Sequence, residues 1–175
     1  MTFLLYELAL NKDIQWKARE EIKQVLERHG GEFSYEAMTD MTYITQILNE
    51  SLRKYPTLGN LRRITSKDYN VPNTNMIIPK GTKILIPVHA VHHDPTYYPD
   101  PDEFNPDRFS AEQIKQRDNV TFLGFGVGPR SCIGIRFGLM QARVGMVKLL
   151  SNFEFSICDK TSVPLQIDKK TIILS

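Results

Sequence analysis

Residues 122–134 read Phe122-Leu123-Gly124-Phe125-Gly126-Val127-Gly128-Pro129-Arg130-Ser131-Cys132-Ile133-Gly134. Glycines at 126 and 128 permit backbone angles closed to other residues and let a flat group approach the chain closely. Cys132 stands where this loop turns into a helix over 135–150 that is apolar almost all round, broken only by Arg136, Gln141, Arg143 and Lys148. Such a helix is expected to be buried among other elements. Its N-terminus presents free N–H groups and partial positive charge, which suit an anionic sulfur and can hydrogen-bond one that ligates a metal. Arg130, two residues earlier, is placed for an anionic group beside that sulfur.

A lone cysteine before an apolar helix is by itself more often a small buried hydrophobe than a ligand, so the loop has to decide the reading. The phosphate-cradling Gly-Lys-Ser/Thr pattern fails, because the loop holds no lysine. The dinucleotide pattern G-x-G-x-x-G fails from Gly124, where Pro129 takes the last place, and from Gly126, where Ser131 does. A thiol nucleophile wants a base beside it, and sequence assigns none of the four histidines to that role. Haem ligation is the chemistry that survives.

Upstream, Ile14, Ala18, Ile22, Val25 and Leu26 recur at helical spacing between Asn11, a candidate cap, and Gly30-Gly31, a candidate stop. A second helix is expected from Asp40 to Lys54, with Ile44, Ile47, Leu48, Leu52 and Tyr55 on one side and Pro56 ending it. Glu50 and Arg53 fall on its polar side. Leu61–Thr65, Asn75–Ile78 and Lys83–Val88 are short and β-prone, and Pro79-Lys80-Gly81-Thr82 supplies a turn between the last two. From Asp94 to Phe109 the chain carries Pro95, Pro99, Pro101 and Pro106, which preclude regular structure. The fold class is thus mainly α with a small β-sheet, an α+β arrangement.

These residues carry a family resemblance. Phe125-x-x-Gly128-x-Arg130-x-Cys132-x-Gly134 resembles the haem-binding signature of the cytochrome P450 family, with every defining position filled. The continuation through Arg136-Phe137-Gly138-Leu139-Met140 is similar to microsomal members that oxidise foreign compounds, notably in insects. Glu50-x-x-Arg53 and Pro106-Asp107-Arg108-Phe109 resemble two further family motifs, in the family's order. The resemblance implies that Cys132 is the axial ligand to the iron of haem b (iron protoporphyrin IX). It implies that Phe125, Gly128 and Gly134 shape the loop, and that Glu50, Arg53 and Arg108 form a salt-bridged triad locking the irregular segment. Arg130 and Arg63 would meet haem propionates, with Arg62 as the adjacent ambiguity. His92-His93-Asp94-Pro95 matches a structural turn, and His89-x-x-His92 lacks a third ligand for a metal. Thr57–Leu61 and Thr171–Ile173 match segments lining the family's substrate pocket.

The implied activity is insertion of one atom of O₂ into a lipophilic substrate. Electrons would come from NADPH through NADPH–cytochrome P450 reductase, with cytochrome b5 as a further partner. The implied place is the cytosolic face of the endoplasmic reticulum membrane, through an anchor absent from these residues. Residues 1–175 are expected to be an incomplete, C-terminal part of the P450 domain. Met1–Leu8 looks like the end of the family's central helix, whose acidic-threonine motif would lie before Met1. The isolated chain is accordingly expected to be inactive; the alternative is a non-enzymatic truncated product, a partial haem binder.

Composition agrees with a globular chain: 175 residues, 41% hydrophobic and 24% charged, which places it outside the disordered class. The net charge is +2 with Lys and Arg scattered, which argues against a nucleic-acid face. Cys132 and Cys158 are too few and too far apart for a disulfide framework, so a reduced setting is expected.

Overall fold

The computed structural model describes residues 1–166. Four helices form the core: α1 (Thr2–Leu10), α2 (Lys12–Arg28), α4 (Thr42–Lys54) and α7 (Ile135–Asn152), with the short α3 (Tyr35–Asp40) closing one end. Leu4, Leu8, Ile22, Val25, Met38, Ile44, Ile47, Met146 and Leu150 meet there, all but excluded from solvent. Each contributes about 1.5–3 kcal/mol by leaving water. Polar cross-links set the packing. Glu21 of α2 accepts from the free N–H groups of Tyr43 (2.7 Å) and Ile44 (2.8 Å), and so caps α4 from outside its own sequence. Buried Gln15 donates to the Leu8 and Phe155 carbonyls and accepts from the Phe155 N–H, which holds the segment after α7 against α1 and α2.

Several expectations need correcting. Asn11 does not cap α2; its amide donates to the Glu7 carbonyl at 2.9 Å, because the chain bends there and Glu7 is the nearer acceptor. Gly30 and Gly31 do end α2, both at positive φ, with Gly31 N–H on the Leu26 carbonyl at 2.8 Å. The expected hairpin across Pro79–Thr82 is not formed. Instead β4 (Lys83–Ile86) pairs with β1 (Leu61–Ile64), while β3 (Ile77–Ile78) pairs with β2 (Tyr69–Asn70), one antiparallel ribbon inside the other. Thr65 explains the choice. Its backbone and hydroxyl take four hydrogen bonds from or to residues 79–82, so the Pro79–Thr82 turn belongs to the β1–β4 pair.

The expected burial of the last helix holds only in part. Met146, Val147 and Leu150 are buried, whereas Ile135 and Phe137 (69% exposed) face outward. Among the described residues, α7 packs on the core with Met146, Val147 and Leu150 buried, while Leu139, Met140, Ala142 and Val144 are only partly buried against it. Short helical pieces that were not anticipated include α3, α5 (Val88–His92), which begins where the β-prone stretch Lys83–Val88 was expected to end, α6 (Ala111–Gln116) and a 3₁₀ turn over Pro106–Phe109. No helix among the described residues is long and apolar enough to cross a membrane.

Candidate functional site

Two constellations stand out, one buried and one open. The buried one grows from the last turns of α4. Glu50 and Arg53, assigned to the polar side by periodicity, are both 0% exposed. The irregular segment 93–105 lies over that face and converts a surface pair into an interior one. Arg53 Nε and Nη2 donate to the two Glu50 oxygens at 2.8 and 2.9 Å, a bidentate pair. The remaining guanidinium donors reach the carbonyls of His92 (2.9 Å), Pro101 (2.8 Å) and Glu103 (3.3 Å). Glu50 Oε1 also accepts from Asn105 N–H at 3.0 Å. In a proline-broken segment without ladder bonds, the Pro101 and Glu103 carbonyls and the Asn105 N–H are thus satisfied by one arginine and one carboxylate.

Arg108 joins the group at its edge. Its Nε lies 3.5 Å from Glu50 Oε1 without hydrogen-bond geometry, and its Nη2 donates to the Asp100 carbonyl at 2.8 Å. Burial pushes the Glu50 carboxyl up from its ordinary value, opposed by the Arg53 hydrogen bonds and charge, the Asn105 N–H and the Arg108 charge. Sequence reasoning missed Arg117 and read His92 only as part of a structural turn. Arg117 lies over the rings of Tyr98 (4.8 Å) and Phe109 (4.7 Å) and donates to the Arg108 carbonyl at 3.2 Å. His92 is fully buried, with both ring nitrogens engaged by backbone groups. The contacts of His92 come from segments far along the chain, Arg53 and Leu123, whereas Arg117 meets Arg108 and Phe109 close by in sequence.

The open constellation is the glycine loop. Gly126 (φ 68°) and Gly128 (φ 75°) take left-handed angles that disfavour other residues, and Gly128–Arg130 make a single 3₁₀ turn. Gly134 needs no such freedom, since it precedes α7 at φ −91°. Cys132 N–H donates to the Phe125 carbonyl at 2.8 Å, which closes the loop, and the thiol itself is exposed. Phe125 is half-buried behind it. Beside the loop lies a cavity of about 800 Å³ lined by Arg62, Arg63, Lys83 and Arg130 with Ile64, Ile84 and Leu85. Arg62 and Arg63 both border it, Arg63 half-buried and Arg62 exposed, so the cavity leaves both open as anion partners.

The loop sequence, the buried Glu50–Arg53 pair and this cationic cavity come together in one third of a familiar architecture. The cytochrome P450 family model matches residues 1–175. The chain belongs to the cytochrome P450 family. It is 50% identical over its whole length to a protein named "Probable cytochrome P450 6a14" of Drosophila melanogaster, covering 35% of that relative. It is 50% identical to cytochrome P450 6a8 of the same fly across 99% of the chain and 35% of the relative. Against cytochrome P450 6A1 of Musca domestica the identity is 48%, across 98% of the chain and 35% of the relative. The chain therefore spans about a third of the length of the curated relatives it matches, and it is a P450 of insect type.

Of the substrate-pocket candidates in this P450 chain, Thr57–Leu61 forms the link from α4 to β1, with Thr57 and Leu58 exposed. Thr171–Ile173 lies outside the described residues. His89 stacks on His93 at 4.1 Å, and His92 has no free ring nitrogen for a metal. Among the described residues, no group of three or more His, Cys, Asp and Glu side chains gathers to hold a free metal ion.

Proposed function

We propose that residues 1–175 form the cysteine-bearing part of a haem-thiolate monooxygenase, in which Cys132 Sγ would hold the haem iron. One observation carries this reading: the closed loop that bears the exposed thiol also contributes Arg130 to a cavity lined by cationic and apolar side chains. A flat apolar macrocycle bearing two carboxylates fits that donor set. Exposed Ile133 and Phe137 offer further apolar surface next to the thiol. When bound, haem supplies the oxygen chemistry: one atom of O₂ enters a lipophilic substrate and the other leaves as water.

The chain's own residues have separate tasks in this reading. Cys132 would supply the thiolate that holds the iron, an electron-rich donor suited to oxygen chemistry. Arg130 and Arg63, with Arg62 and Lys83 adjoining, pair with the carboxylates. Phe125 and Gly128 fix the loop's path, Gly134 leads it into α7, and Glu50, Arg53 and Arg108 hold the irregular segment. Electrons arrive from NADPH through NADPH–cytochrome P450 reductase, with cytochrome b5 as a second donor, at the cytosolic face of the endoplasmic reticulum membrane. The 175 residues alone do not turn over, because Cys132 and Ile133 lie open to water and oxygen activation needs a dry site.

In the full-length enzyme, Cys132→Ala is expected to abolish the thiolate-type carbon monoxide spectrum. A retained spectrum removes Cys132 from the ligand role.

A further inference from the structure

We infer that His92 is a positioning residue for the cysteine loop, a neutral imidazole that ties the end of α4 to the first residues of the loop. The inference rests on the reading of Cys132 as the thiolate ligand and adds the device that sets where the sulfur stands.

The geometry gives each ring nitrogen one task. Arg53 contributes a carbonyl in the last turn of α4, where no intrahelical N–H is available to it. His92 Nδ1 lies 3.1 Å from that oxygen and must donate to it. On the other side, Leu123 N–H donates to His92 Nε2 at 2.8 Å. A carbonyl can only accept and an N–H can only donate, so the contacts impose a single tautomer, protonated on Nδ1. Burial lowers the basicity of His92 to about 4, with the backbone bond at Arg53 opposing and the charges of Arg53, His93 and His89 assisting. At neutral pH the ring is therefore uncharged and keeps the acceptor that Leu123 requires.

From Leu123 the path to the sulfur is short. The Leu123 carbonyl accepts from Gly126 N–H at 3.0 Å, and the Phe125 carbonyl accepts from Cys132 N–H at 2.8 Å. The imidazole also stacks on Phe122 (5.6 Å between centroids, 12° between planes) and meets the edge of Tyr98. Tyr98 Oη donates to the Thr121 carbonyl at 3.1 Å. Thr121, Phe122 and Leu123 are thus each held by a residue from the 92–98 segment. That segment is in turn bound by Arg53 through the His92 carbonyl. The loop's root is anchored in the rigid interior although the loop itself is exposed.

Two variants separate the halves of this link. His92→Gln carries an amide oxygen out to the reach of Nε2 and can accept from Leu123. His92→Asn places its amide only as far as Nδ1, so it serves Arg53 and leaves the buried Leu123 N–H without a partner. An orphaned buried donor costs enough to change an equilibrium on the order of tenfold or more. The full-length, haem-loaded enzyme is the material. The readouts are the share of thiolate-type carbon monoxide spectrum, its rate of loss on warming, and the unfolding midpoint by circular dichroism. The Asn variant is expected to lose the thiolate-type spectrum roughly tenfold faster than the Gln variant at a matching unfolding midpoint. Equal loss rates in the two variants, or rates that simply follow the unfolding midpoints, overturn the inference. Should neither variant fold, hydrogen exchange of the wild-type Leu123 amide decides: slow exchange is required, and exchange as fast as that of an exposed loop rejects the link. A wild-type enzyme without any thiolate spectrum defeats the Cys132 reading itself, and this inference with it.

Discussion

The Glu50–Arg53–His92 knot and the Gly128–Phe137 stretch sit at opposite extremes of the same chain. In the knot, a carboxylate, a guanidinium and an imidazole have no solvent exposure, and each buried polar atom has a protein partner. In the loop, Cys132 and Phe137 are exposed and Ile133 is 104% accessible. Polar residues are inside and apolar ones outside, the reverse of the ordinary partition. The lesson is that burial follows satisfaction of partners rather than polarity alone. Charged groups can be interior when their hydrogen bonds are complete. Apolar groups gathered on a surface next to an exposed thiol are what the proposed haem site requires.

The contrast can be broken most directly at Glu50. Glu50→Ala leaves the Arg53 guanidinium buried without its carboxylate and is expected to cost about 3–5 kcal/mol, measured by urea unfolding. A loss below 1 kcal/mol, on the order of a surface pair, refutes the knot as the chain's anchor. Acid comes next. The His92 value is lowered from 6.5 to about 4, so the unfolded chain binds the proton before the folded one does. The contribution is complete above the unfolded value of 6.5 and declines as pH falls toward 4. The span corresponds to about 3 kcal/mol. Stability against pH for wild type and His92→Gln checks this, since the variant must lack that slope.

Smaller effects sharpen the boundary between the two regions. Arg117→Ala removes the cover over Tyr98 and Phe109 and the bond to the Arg108 carbonyl, and is expected to cost about 1–2 kcal/mol in the same unfolding assay. Cys132→Ala, by contrast, should change the stability of the haem-free protein by less than about 0.5 kcal/mol, because the thiol touches little. A large loss there would place Cys132 in the core after all.

Much of the architecture was legible from the chain. The period of Ile14, Ala18, Ile22 and Val25 gave α2, and Gly30-Gly31 ended it, because both signals act within a few residues. Three of the four strands lay in stretches read as β-prone, but β2 (Tyr69–Asn70) was not read and the pairing was not visible, since a four-residue strand pairs equally well with either neighbour until Thr65 settles the turn. At the site, the Cys132 motif was readable as a pattern. The burial of Glu50 and Arg53 was not, because α4 in isolation has a polar side there.

The sequence by itself therefore determined where the long helices run, which loop carries the thiol, and to which family the motifs point. Those are short-range facts, set by helical periodicity, by glycine's access to positive φ and by the spacing of a dozen residues. Only the tertiary structure decided that Glu50 and Arg53 are interior, that His92 has one tautomer, and that the cationic cavity lies beside the cysteine loop. Each depends on partners brought from far along the chain, as when Arg53 meets the His92 carbonyl 39 positions on and Glu50 meets the Asn105 N–H 55 positions on. Desolvation and hydrogen-bond completion are properties of that assembled neighbourhood, and no local pattern encodes them.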